Sequence, residues 1–153
     1  AALLGELTNA DAQQKRDEVL QESVQIVQTL QKLDLHIVLA APTPVFESPV
    51  DRCIRWFNKK NPACVEGFTT DKTYQLALRE PVMKSYRKLA KQTGALLWDP
   101  FETLCPASEV CQSRYDLQYG HAYYYIDQHH LSANGNLPLI DEFLTITKKF
   151  WKP

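Results

Sequence analysis

The segment Leu35–Ala41 (LHIVLAA) constrains the fold most. It is short, almost wholly apolar, carries Ile37 and Val38, and is stopped by Pro42 and Pro44. A strand with one wet face alternates apolar and polar residues, whereas a nearly continuous apolar strand suits a parallel sheet covered on both faces. Parallel strands need long crossovers, usually helices. Upstream, Asn9 or Asp11 can cap a long helix running to about Leu33. Leu20, Val24, Val27 and Gln31 form one stripe along it, which Val19, Ile26, Leu30 and Leu33 widen.

Beyond Pro44 the helical period is lost, and Pro49, Asn61, Pro62 and Gly67 mark a long loop from Val45 to Phe68. Thr70 or Asp71 opens a second helical region, with Tyr74, Leu76 and Leu78 ahead of Pro81. Pro81 is placed to start a fresh helix at its first position. Val82, Tyr86, Leu89 and Ala90 keep helical spacing until Gly94. Ala95–Trp98 reads as a second strand, closed by Asp99-Pro100. Phe101–Gly120 reads mostly as loop, and Ala122–Ile126 (AYYYI) as a third, aromatic strand. Ser132 can cap a last helix whose buried side is Leu137, Ile140, Phe143, Leu144 and Ile146. His36, inside a strand, is expected to be a core histidine with its polar atoms satisfied.

The order helix, strand, helix, strand, loop, strand, helix predicts an α/β fold: a parallel sheet with helices on both faces, a three-layer α/β/α sandwich of flavodoxin-like type. A length of 153 residues suits one such domain, spanning 1–153. It opens with a helix that should follow a strand, so one or more N-terminal strands are expected to lie outside this chain. Ala1–Leu4 lacks the charged start and long apolar stretch of a signal peptide, and the chain reads as part of a longer precursor.

Charge narrows the partners. Lys plus Arg number 17 and Asp plus Glu 18, for a net charge of −1, which gives no electrostatic reason to expect nucleic acid or a polyanionic surface as the main partner. The apolar run Ile37–Ala41 is far short of the roughly 20 residues that span a bilayer. Four cysteines, Cys53, Cys64, Cys105 and Cys111, fall into two local pairs. Of the three connectivities, Cys53–Cys64 and Cys105–Cys111 are favoured, because each staples one proline-containing loop (Pro62 and Pro106). Such closures stabilise by about 2–3 kcal/mol each in the chain-entropy model. They imply an oxidising compartment; four free buried thiols are the alternative. Neither spacing is the close pair that zinc knuckles use.

The stretch Tyr125–Gly135 (YIDQHHLSANG) carries the chemistry. Asp127 is expected just past the end of a parallel strand, where functional groups of open α/β sheets gather. His130 follows three residues later, within reach in a strand-to-helix turn. An Asp carboxylate that accepts the imidazole Nδ1–H fixes the tautomer and leaves Nε2 as a base, which is the second half of a hydrolytic triad. The alternative is that Asp127 only caps the turn while His130 packs at a helix start. His129 beside His130 suggests a metal pair, but sequence neighbours on a turn are expected to point apart and no third ligand is evident. No metal and no cofactor are therefore expected. Tyr119, His121, Tyr123, Tyr124 and Tyr125 could stack on sugars, although strand alternation gives most of them to the core. Trp56 and Phe57, with Arg52 and Arg55, either grip a glycan or cover the core edge.

Asp127-x-x-His130-Leu131-Ser132, then Gly135 ahead of an amphipathic helix, resembles the last block of the SGNH (GDSL-like) hydrolase superfamily. Further stretches are similar to the periplasmic SGNH domain fused behind acyltransferase-3 membrane proteins, which O-acetylate bacterial surface polysaccharides. They are Ile37–Pro44 ahead of a cysteine loop, Arg79-Glu80-Pro81, and Leu97-Trp98-Asp99-Pro100 before Leu104-Cys105-Pro106. The resemblance covers roughly residues 17–148. It implies acyl transfer or ester hydrolysis on extracytoplasmic carbohydrate such as lipopolysaccharide O-antigen, with His130 as general base and then general acid, and Asp127 orienting it. It also implies two partners, a cell-surface polysaccharide or other glycan and an N-terminal membrane acyltransferase domain in the same parent protein, and a periplasmic site tethered to the inner membrane.

The family's nucleophile lies in a Gly-Asp-Ser block after its first strand, and neither that block nor Gly-x-Ser-x-Gly occurs here. The Gly and Asn donors to the oxyanion also find no match. Ser23, Ser48, Ser85, Ser108, Ser113 and Ser132 stand in other contexts, and Ser132 is better explained as a helix cap. The chain therefore resembles the C-terminal part of such a domain, with the Ser supplied from outside. Alone it should be nearly inert, since little covalent catalysis survives loss of the nucleophile. The rival reading is a non-catalytic glycan-binding or assembly module that kept the fold and lost the site.

Overall fold

The computed structural model describes residues 2–58, 60–65, 67–107, 109–117 and 120–151, of which 2–4, 115–117 and 120–122 are described by backbone alone. In chain order the elements are α1 (Ala2–Thr8), α2 (Ala10–Gln31), β1 (Val38–Ala40), α3 (Val50–Cys53), a 3₁₀ turn (Trp56–Asn58) and α4 (Pro62–Val65). β2 (Thr69–Asp71), α5 (Lys72–Thr93), β3 (Leu96–Trp98), α6 (Phe101–Leu104), β4 (Val110–Gln112), β5 (Arg114–Leu117) and β6 (Gly120–Tyr123) follow. The chain ends with α7 (Ala133–Asn136), a 3₁₀ turn (Leu137–Leu139), α8 (Ile140–Thr147) and a last 3₁₀ turn (Lys148–Trp151). These elements form two compact units. One comprises 1–42, 76–99 and 150–153; the other comprises 43–75 and 100–149.

In the first unit Asn9 caps α2 by accepting the Ala12 N–H at 2.8 Å. Asp34, with φ of 61°, and Gly94, with φ of 72°, turn the chain out of the two long helices in the left-handed region. β1 and β3 pair in parallel, Val38 with Leu96 and Ala40 with Trp98, so the two apolar runs do meet as parallel strands in an α/β arrangement. Leu20 and Val27 of α2, Leu89 of α5, and Ala95 form the buried cluster, with Val24, Ile37 and Leu39 packed on it.

Three expectations need correction here. Val19, Ile26 and Leu33 are exposed, so only the narrow stripe of α2 is buried. His36 precedes β1 rather than lying inside it; its exposed ring stacks on Phe150 at 4.4 Å. Pro81 lies within a continuous α5 instead of starting a helix. Its missing N–H costs the Ala77 carbonyl a partner, but the ladder on either side carries the helix through.

In the second unit β2 pairs antiparallel with β4, and β5 with β6. Residues 101–117 thus hold α6, β4 and β5, where mostly loop was expected. The aromatic stretch is likewise not a third parallel strand. Its first part belongs to β6, which pairs with the segment just upstream, a local antiparallel match that needs no crossover. Both disulfides have the expected connectivity, with Cα–Cα separations of 5.2 Å for Cys53–Cys64 and 4.7 Å for Cys105–Cys111. The second is fully buried among Phe46, Val50, Phe101 and Tyr125.

The C-terminal helix also departs from expectation. The 3₁₀ turn at Leu137–Leu139 resets the helical phase, so Leu139 and Thr147 point inward. Leu137, Ile140, Phe143 and Leu144, expected on the buried side, are exposed, and Ile146 is half-buried.

Candidate active site

Tyr125 anchors the site loop. Its ring is buried edge-on against Phe46 at 5.0 Å, and burial pushes its phenol pKa upward, only partly offset by the Thr43 hydroxyl. Tyr125 bridges Leu131 in antiparallel fashion. The Ile126 N–H donates to the His130 carbonyl at 2.8 Å and the Ser132 N–H to the Tyr124 carbonyl at 2.8 Å. These bonds close a small loop that holds Asp127, Gln128, His129 and His130. Asp127 therefore follows the end of an antiparallel hairpin strand, not of a parallel one.

The far side of the loop is fixed by two residues read from sequence. The Ser132 hydroxyl caps α7, accepting the Gly135 N–H at 3.0 Å and donating to the Tyr123 carbonyl at 2.6 Å. Gly135 is buried so closely that an added Cβ would sit 1.9 Å from the Tyr124 oxygen, so only glycine fits. The near side is held by a distant stretch of the same unit. The Phe46 N–H donates to the Gln128 carbonyl at 2.9 Å, the Gln128 amide to the Glu47 carbonyl at 2.8 Å, and the Asp51 N–H to the Ile126 carbonyl at 2.8 Å. Buried Gln75 in turn pairs both backbone groups of Val45. Thr43, Glu47 and Gln75 escape sequence reading because no motif marks them; the only local signal is the Pro42-Thr43-Pro44 kink.

Within this frame Asp127 accepts three hydrogen bonds. Its Oδ1 takes the backbone N–H groups of His129 at 2.9 Å and His130 at 2.8 Å, and its Oδ2 lies 2.7 Å from His130 Nδ1. The two backbone donors, then the imidazole, hold the Asp127 carboxyl below the usual carboxylate range. An ionised carboxylate only accepts, so Nδ1 carries the proton and Nε2 presents a lone pair. The His130 side chain is 68% exposed and that of Asp127 34%, so the imidazole is open to a reactant while its support is partly sheltered.

His129 does not point apart from its neighbour as expected. The two imidazole centroids are 4.0 Å apart, and His129 Nδ1 lies 3.8 Å from Asp127 Oδ1. Close backbone donation from both residues to one oxygen keeps the rings together. Asp127, His129 and His130 consequently gather one potential metal-ligand atom each within 4.8 Å of one another, though His130 Nδ1 already faces the carboxylate.

The serines of this unit face elsewhere. Ser48 donates to the Ala63 carbonyl, Ser113 to the Phe68 carbonyl and Ser132 to the Tyr123 carbonyl. Ser108 lies outside the described residues, as do Tyr119 and the side chain of His121. Tyr123 and Tyr124 pack on the Phe46–Tyr125 core, in line with a packing role. Trp56 and Phe57 do not cover the core edge; both are exposed.

An α/β chain thus presents an oriented, accessible imidazole on a carboxylate. The chain matches, over residues 3–145, the family of SGNH domains fused to AT3 domains, and it belongs to that family. No curated protein and no solved structure matches it. Among the described residues, no helix is long and apolar enough to cross a membrane.

Proposed function

We propose that this chain supplies the His–Asp half of a Ser-His-Asp site that transfers O-acetyl groups to, or hydrolyses esters on, extracytoplasmic carbohydrate. The observation that carries the reading is the 2.7 Å contact between His130 Nδ1 and Asp127 Oδ2, with Oδ1 locked by two backbone N–H groups. His130 Nε2 takes the proton of a serine hydroxyl supplied from outside this chain as that oxygen bonds to the acyl carbon. It returns the proton to the departing oxygen, and an acyl-serine remains. A sugar hydroxyl or water, deprotonated by the same nitrogen, then attacks the acyl carbon and frees the serine.

In this reading residues 1–153 are the C-terminal part of a single domain, and the β1–β3 pair belongs to a three-layer α/β/α sandwich. The parent protein carries a membrane acyltransferase domain and works in the periplasm, where both disulfides persist. The test is acetyl release from an aryl acetate by the parent protein. His130→Ala should abolish it; an unchanged rate removes His130 from the mechanism. The rival reading is a non-catalytic glycan-binding or assembly module of the same fold; Ser48, Ser113 and Ser132, which all donate to backbone carbonyls, offer no nucleophile in either case. A parent protein inert toward both aryl acetate and acetylated glycan would support that module.

A further inference from the structure

We propose that the disulfide-stapled turn around Trp56 and Phe57 docks on an anionic lipid surface, an inference independent of the acyl chemistry above. Trp56 is 81% exposed and Phe57 61%, far beyond ordinary surface exposure for such large rings. They are not isolated. Ile54 on one side of the Cys53–Cys64 bridge and Val65 on the other are also exposed, and both line a shallow concavity with the cystine itself. Four large apolar side chains thus stand exposed within one short, covalently closed segment.

Charge along this segment has one dominant sign. Among its described residues, 51–58 and 60–65, Arg52, Arg55 and Lys60 stand against Asp51, although the whole chain is at −1. Arg52, Arg55 and Lys60 are exposed, and exposed Arg114 lines the same concavity beside Val65. Aromatic and aliphatic side chains ringed by Arg and Lys suit the boundary between acyl chains and anionic headgroups, where rings enter and cations stay with phosphate.

A flat sugar is a poorer fit. The Trp56 and Phe57 rings meet at 85° with centroids 5.7 Å apart, which makes an edge rather than a stacking platform. Nothing in such an edge selects a hydroxyl pattern. A lipid interface needs only depth and positive charge.

Flotation of the 153-residue chain with vesicles tests this. It should rise with phosphatidylcholine vesicles containing phosphatidylglycerol and not with phosphatidylcholine alone, and salt at about 0.5 M should release it. Trp56→Ala with Phe57→Ala should weaken partitioning at least about tenfold by removing the inserted rings. Arg52→Glu with Arg55→Glu should abolish the preference for the anionic lipid without touching the rings, so a fold lost in one pair leaves the other as the test. Leu137→Ala with Leu144→Ala, equally apolar and exposed, should change partitioning less than about twofold, since residues 137–147 carry Asp141 and Glu142 and no Arg or Lys. Binding without lipid-charge dependence, or unchanged in both the ring and charge variants, overturns the proposal. So does retention on dextran that the ring variant loses while the chain ignores vesicles, which assigns the patch to a glycan.

Discussion

Asp127→Asn separates the orienting role of this carboxylate from its role in holding the loop. Asn has one oxygen and one NH₂ where Asp has two oxygens. If the amide oxygen keeps the backbone N–H groups of His129 and His130, at 2.9 and 2.8 Å, the NH₂ must face His130 Nδ1. Two N–H donors cannot share that 2.7 Å contact, so Nδ1 becomes the acceptor and the proton moves to Nε2. The base then has no lone pair where the serine needs it. The alternative flip puts the oxygen on His130 and the NH₂ against two backbone donors, which breaks the loop instead. The first arrangement keeps two hydrogen bonds and loses none to a donor clash, so it should prevail. In the serine-protease triad, the worked case of this substitution, the wrong tautomer costs about 10⁴ in kcat, or roughly 5 kcal/mol of barrier. Acetyl release by the parent protein should fall by up to about that factor at unchanged thermal midpoint. Nitrogen-15 shifts of His130 in this chain should show the proton moving from Nδ1 to Nε2. A variant that keeps its rate within about tenfold, or a His130 whose tautomer does not move, would refute the reasoning.

Four further outcomes follow from the same geometry. His129→Ala should lower acetyl release by less than about tenfold, since its ring neighbours His130 but makes no close bond to Asp127, and a dead His129→Ala beside an active His130→Ala would reverse the assignment of the base. Gly135→Ala should cost about 3 kcal/mol in a urea titration or prevent folding, because its methyl meets the Tyr124 carbonyl at 1.9 Å; a loss under about 1 kcal/mol would show that the turn is slack. Cys105→Ser with Cys111→Ser should lower stability by about 3 kcal/mol or more, as a fully buried closure is lost from the core, while non-reducing peptide mapping of the native chain should return only the two local pairs. The Asp127 carboxyl titrates below the usual carboxylate range, so its contribution to loop order is complete above the unfolded value near 3.9 and fades only as pH falls through the lower folded one; the carbon-13 shift of the Asp127 carboxyl should show no protonation step until below pH ~4.

What the sequence disclosed depended on how local the cause was. The apolar runs ending at Ala41 and Trp98 are bounded by Pro, Gly and Asp, and they became the parallel pair. The cysteine pairs were legible because each closes a short loop. The β5–β6 hairpin is not: Arg114–Leu117 (RYDL) lacks a clean alternation, so nothing local distinguishes the aromatic stretch from a strand reached by a crossover. The phase of the last helix depends on a 3₁₀ turn that shifts the inward face to Leu139 and Thr147, which periodicity alone does not reveal. At the site, Asp127 and His130 could be paired from spacing because three residues separate them. Their supports could not, since the Glu47 carbonyl lies 81 positions from Gln128, and Thr43 lies 86 from the His129 carbonyl it faces. Contacts at that separation are set by tertiary packing, and no short window of sequence contains them.

The two units interleave along the chain: 1–42, then 43–75, then 76–99, then 100–149 and a final return at 150–153. A ribosome therefore releases β1 long before its partner, and Val38 waits for Leu96 with its pairing edge bare. The second unit is in the same position, because its core needs Phe46 and Val50 from early synthesis and Phe101 and Tyr125 from late. Neither unit can finish first by emerging first, and no single cut in the chain yields either one whole. Nascent chains of this protein should stay open to proteases and to holding chaperones until residues 100–149 have been made.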